Sequence, residues 1–138
     1  MYPRRVLLAV ALSVFGVVHS QGAGDSHGKT IYVSPNTKEE PFRSYYLGFA
    51  KRMEERGAAN FPKVNGKSLY GTALAVVTIR STGALEKVEL IESTSPALSR
   101  HTTALLRRAQ PFEPFSDELR SKAARVALVS RFNYTREE

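Results

Sequence analysis

Residues 60–115 read NFPKVNGKSLYGTALAVVTIRSTGALEKVELIESTSPALSRHTTALLRRAQPFEPF, and this stretch decides the fold. Phe61-Pro62 leads into a β-rich run, residues 69–80, in which Ala73, Ala75, Val77 and Ile79 fall on alternate positions. Alternation of that kind belongs to a strand with one face on a core. Leu74 and Val76 make its second face partly apolar as well. Ser81-Thr82-Gly83 is a short hairpin turn, with Gly83 free to take a positive φ. Residues 85–92 return as a second strand, with Val88 and Leu90 on one face and Lys87 and Glu89 on the other. Leu85 is out of phase with Val88, so a bulge is expected just after the turn.

Ser95-Pro96 opens a helix, the serine as N-cap and the proline at the first helical position. Leu98, Thr102, Leu105 and Ala109 line one side of it, and Arg100, Arg107 and Arg108 lie outside. The last two arginines sit at the negative end of the helix dipole. Pro111-Phe112-Glu113-Pro114-Phe115 cannot continue a helix and reads as a rigid crossing loop, followed by one helical turn over residues 116–120. The stretch carries no reactive side chain placed for chemistry.

Working outward, Phe42, Tyr45, Tyr46, Phe49 and Met53 recur at helical spacing, with Arg43, Lys51, Arg52, Glu54 and Glu55 on the other face. This predicts an amphipathic helix over residues 41–56, with Pro41 in its first turn and Gly57 as its stop. Residues 57–68 read as a loop. Towards the end of the chain Val126, Leu128, Ser130, Phe132 and Tyr134 alternate with Ala127, Val129, Arg131 and Asn133, which predicts a last strand. The order is helix, strand, strand, helix, strand. The expected fold is α+β, a three-stranded antiparallel sheet with two helices packed on one face.

Before this domain (residues 41–135), Arg4 and Arg5 precede an uncharged run over residues 6–18. That run is shorter than the ~20 residues a membrane-spanning helix needs. It fits the apolar region of a secretory signal peptide, residues 1–20, with Val18 and Ser20 at the small-residue positions before a cut and Ala23 as a second site. The reading is a periplasmic protein, with an uncut inner-membrane anchor as the alternative. No cysteine follows the run, which excludes a lipoprotein. Residues 21–40 are rich in Gly, Ser, Asn and Thr and read as a flexible arm.

With 138 residues, 42% hydrophobic and 24% charged, the chain suits one packed domain and a leader. The absence of cysteine rules out disulfides, thiolate metal sites and cysteine nucleophiles. The three histidines, His19, His27 and His101, have no second ligand at metal spacing, and no Ser–His–acid grouping or phosphate-binding glycine loop is present. Neither an enzyme nor a cofactor or metal is expected. A formal charge of +7 favours acidic partners, but no basic cluster is interleaved with stacking aromatics, so nucleic acid is not among them.

The ordered features resemble the C-terminal domain of the TonB family across residues 42–134. Phe61-Pro62 is similar to its Tyr-Pro step, and Tyr70-Gly71 with Val77-Thr78-Ile79-Arg80 to its first strand. Gly83 stands at its hairpin, residues 88–95 resemble its second strand, and residues 96–108 its basic helix. A Pro-Phe pair like that within residues 109–115 occurs in one branch. Thr82 departs from the family's turn aspartate, and Thr94-Ser95 stands where Ser-Ser-Gly is common. The long Pro-rich spacer of a complete energy transducer has no counterpart here.

The resemblance implies a Gram-negative envelope protein that receives an extended peptide from an outer-membrane transporter by strand addition, in support of energy-coupled transport. The candidate edge is the last strand: Val126, Ala127, Leu128, Val129, Ser130, Arg131, Phe132, Asn133 and Tyr134, with Arg131 and Asn133 steering an acidic peptide. Two alternatives stand beside it. One is a self-associating structural protein, a homodimer through the open edge with Leu74 and Val76. The other is attachment of the basic helix to the membrane surface or to an anionic cell-wall polymer.

Overall fold

The computed structural model describes residues 4–9 and 28–136, with side chains from residue 28 onward. The elements run β1 (Arg4–Ala9), β2 (Thr30–Val33), α1 (Phe42–Ala59), β3 (Lys63–Val64), β4 (Lys67–Ser68), β5 (Gly71–Arg80), β6 (Leu85–Ser93), α2 (Pro96–Ala109), α3 (Asp117–Lys122) and β7 (Arg125–Arg136). The architecture is mixed α+β. The sheet differs from the expected one. It has five strands in the order β1-β7-β5-β6, with β2 also on β7, and a separate two-stranded hairpin joins β3 to β4. It is mixed rather than antiparallel, because β2 runs parallel to β7.

Alternation explains the central strands. Ala73, Ala75, Val77 and Ile79 of β5 lie opposite Phe132, Ser130, Leu128 and Val126 of β7, and all eight are buried on the helix side. β5 and β6 pair antiparallel, with a register shift between Thr78 and Ile79, opposite the start of β6, where the phase break at Leu85 called for a bulge. A second shift falls between Leu74 and Ala75.

α2 begins as its sequence dictates, with Ser95 Oγ accepting from Leu98 N and Pro96 in the first turn. Its buried face is Leu98, Thr102, Leu105, Leu106 and Ala109. α1 buries Tyr46, Phe49 and Met53, but it passes through the expected stop. Gly57 is a buried helical residue, and the helix ends where the Asn60 N–H bonds Arg56 O. At the other end Pro41 is the N-cap rather than a first-turn residue. Residues 63–68, expected as loop, form the β3–β4 hairpin around Asn65 and Gly66, both at positive φ. Asn-Gly is the strongest two-residue hairpin signal.

α1 clamps the crossing loop. The Arg52 guanidinium donates from Nε and Nη2 to Ala109 O, at 2.9 and 2.6 Å, and from Nη2 to Pro111 O at 3.0 Å. It caps the last carbonyl of α2, where a cation also suits the dipole. Tyr45 Oη donates to Glu113 O at 2.7 Å. Phe112 and Phe115 enter the core against Phe49 and Tyr45, with ring centroids 5.6 and 5.2 Å apart. Arg52→Ala is expected to cost about 2 kcal/mol, since it orphans charge-assisted bonds to carbonyls. Arg52→Lys, lacking the fork, recovers less than half of that by chemical denaturation.

Candidate partner-binding strand

The position of β7 corrects the central expectation about the site. β7 is not the border of the sheet. β5 pairs along one side of it, and two N-terminal segments share the other. β2 lies parallel along its first part, with Ile31 opposite Val126, Tyr32 opposite Ala127 and Val33 opposite Leu128. β1 lies antiparallel along its second part, with Ala9 opposite Arg131, Leu8 opposite Phe132, Leu7 opposite Asn133 and Val6 opposite Tyr134. Val129 and Ser130 fall between the two pairings. The physical reason is general: a long strand with one free row of amides and carbonyls is a template for any extended segment within reach. Here the chain supplies those segments itself.

Over residues 28–40, the described part of the expected flexible arm, the same finding corrects that reading. Thr30-Ile31-Tyr32-Val33 is a β-branched and aromatic run closed by a turn in which the Thr37 N–H bonds Ser34 O. Lys29 O accepts from both Ala124 N and Arg125 N, which sets the register of β2 against β7. Residues 10–27, covering most of the expected leader and the first part of the expected arm, lie outside the described residues.

The nine expected site residues divide by face. Val126, Leu128, Ser130, Phe132 and Tyr134 point into the helix-side core. Ala127 and Val129 are buried on the opposite face, where Val129 packs on Leu74 and Val76. Leu74 is 6% exposed and Val129 4%, and Val76 beside them is half-buried. Arg131 and Asn133 are half-buried on that face. Arg131 reaches across β5 to Glu92 of β6, Nη2 to Oε2 at 3.2 Å, so its charge is partly committed inside the chain.

The upper part of β7 is pinned from the helix side. Tyr134 Oη and Thr102 Oγ1 share a hydrogen bond of 2.5 Å. Burial pushes the Tyr134 phenol up to about 12, with the Thr102 bond partly offsetting it. Phe61 and His101 stand edge-on to the Tyr134 ring, at 6.0 and 5.8 Å. Burial lowers the His101 pKa, a hydrogen bond to the Asn60 backbone opposes this, and Arg108 adds to it. The imidazole is therefore a packed neutral ring, consistent with its place in the aromatic group.

At the other end of the sheet from β1 and β2, β6 pairs with β5 alone among the described strands. Beside it a groove of about 530 Å³ runs along α2, floored by Val88 and Leu90 and rimmed by Arg100 and Arg107. No group of three or more His, Asp or Glu among the described residues is placed to hold a metal ion. No described helix is long and apolar enough to cross a membrane. Comparison of the chain with protein-family models, with curated proteins and with solved structures returns no match.

Proposed function

We propose that this chain is an exported envelope module that completes its sheet with an extended peptide from a partner, and that the receiving border is residues 131–136 of β7. One observation carries the reading. That border is paired with Arg4–Ala9, a segment whose sequence belongs to a cleavable leader. Strand pairing rests on backbone amides and carbonyls, so any extended segment of suitable shape can take the same row. On export and cleavage the leader strand departs while β2, beyond both expected cut sites, keeps the lower part of the border closed. The mature protein would then offer a defined length of open border rather than a full sticky edge.

The resemblance to the TonB C-terminal domain supports a transporter segment as the peptide and energy-coupled uptake as its setting. The basic surface supports an acidic one. Under this reading β1 acts as a built-in competitor until it is removed.

The experiment compares the full chain with a form starting at Gln21, titrated with labelled N-terminal segments of outer-membrane transporters. An intramolecular strand acts at an effective concentration of order millimolar, so the shorter form should bind at least about tenfold more tightly. Equal binding by both forms, or none by the shorter one, would overturn the proposal.

A further inference from the structure

Five basic side chains far apart in sequence meet at one end of the sheet. Arg80 closes β5 and pairs directly with Arg125, which opens β7. Lys29, just before β2, is held beside Arg125 because its carbonyl accepts from Ala124 N at 2.9 Å and Arg125 N at 3.1 Å. Arg120 and Lys122 come from α3, whose end leads straight into β7. Together they line a cleft of about 860 Å³, with Ser81, Thr82 and Ser121 adding hydroxyls.

Among the described residues, two carboxylates pair with these cations. Glu86 Oε1 accepts from Arg80 Nε at 2.8 Å and from Arg125 Nε at 2.7 Å. Burial works against its charge, but the bonds and charges of the two guanidiniums outweigh that and hold the carboxyl below its usual range. Glu86 therefore stays ionised and orients both arginines through their Nε atoms, and neither arginine uses its Nη groups in those bonds. Asp117 pairs with Arg120, which also donates to Phe115 O. Among the described residues the ammonium groups of Lys29 and Lys122 make no hydrogen bond or ion pair.

A concave site that gathers like charges beyond its own counter-charges carries a repulsion that a bound anion relieves, and concavity concentrates the field. Oriented Arg Nη groups with the two lysine ammoniums and hydroxyl donors match an oxyanion with several acceptor oxygens. The cleft is larger than a single phosphate requires. We propose that this cleft, remote from the peptide border on residues 131–136, binds phosphate groups, presented by a soluble polyphosphorylated molecule or by an anionic lipid headgroup.

The test uses the full chain and two probes. Sodium tripolyphosphate is titrated by calorimetry, and phosphatidylglycerol vesicles are compared with phosphatidylcholine vesicles by co-sedimentation. The cleft variant is Lys29→Ala with Lys122→Ala, chosen because neither amine holds the fold together. The control is Arg100→Ala with Arg107→Ala on α2, which removes the same charge elsewhere. The cleft variant should weaken binding by about tenfold or more, and the control by less than about twofold. Selective loss with tripolyphosphate assigns a soluble ligand, and selective loss confined to phosphatidylglycerol vesicles assigns a headgroup. Binding of neither probe by the parent chain, or equal weakening by both variants, overturns the site.

Discussion

Phe132→Ala should remove about 3–5 kcal/mol of folding stability, a large share of the 5–15 kcal/mol typical of a domain. Phe132 is 0% exposed and lies opposite Ala73, in the row that β7 turns towards the helices. Its neighbours on β5, Ala73 and Ala75, are too small to move into the space it would leave. The helices above cannot collapse into it freely, because Arg52 fixes α1 to the end of α2 and Thr102 ties α2 to Tyr134. The cavity therefore stays open, which places the cost high in the range. Urea titration should show a lower midpoint at unchanged slope. Phe132→Leu, which keeps most of the apolar volume, should lose less than half as much. A loss below about 1 kcal/mol for the alanine variant would mean that this row is not the core.

Gly83→Ala should cost at least about 3 kcal/mol, from two sources that a second glycine separates. Gly83 has φ +93°, in a region that side chains disfavour by about 1–2 kcal/mol. A Cβ there would also lie 2.2 Å from Phe112 O. That oxygen cannot easily yield. Phe112 N bonds Gly83 O at 2.8 Å, Phe115 N bonds Ser81 O at 2.9 Å, and both phenylalanine rings are locked in the core. The clash would push the whole crossing loop off the β5–β6 turn. Gly66 has φ +81° with nothing within 4 Å of its would-be Cβ, so Gly66→Ala should cost only the conformational part, about 1 kcal/mol. Equal losses at the two positions would show that the close approach to Phe112 does not constrain the fold.

These two experiments probe parts of the molecule that differ in how readable they were. The core row of β7 is visible in the alternation of residues 126–134, and the opening of α2 in Ser95-Pro96, because both signals are local. Gly83 is visible as a turn glycine, yet its contact with Phe112 is not, since that depends on where a loop some thirty positions later crosses. Gly57 shows the opposite failure. A glycine after a polar run signals a helix end, but here it is buried against the core and tertiary packing carries the helix on to Ala59. The β3–β4 hairpin had its signal in Asn65-Gly66 and was obscured by the shortness of its two strands.

The candidate site was legible as a strand and illegible as a border. Sequence alone determined which residues of β7 face the helices, because a period of two assigns faces without knowing the neighbours. It also determined the cysteine-free, basic character of the chain and the leader-like pattern at its start. Only the tertiary structure decided which row of backbone groups is free, since every strand carries the same donors and acceptors and no side-chain pattern says which distant segment will pair with them. It likewise decided that Lys29, Arg80, Arg120, Lys122 and Arg125 share one cleft, because charges separated along the chain become a single field only when the topology closes them around the same space.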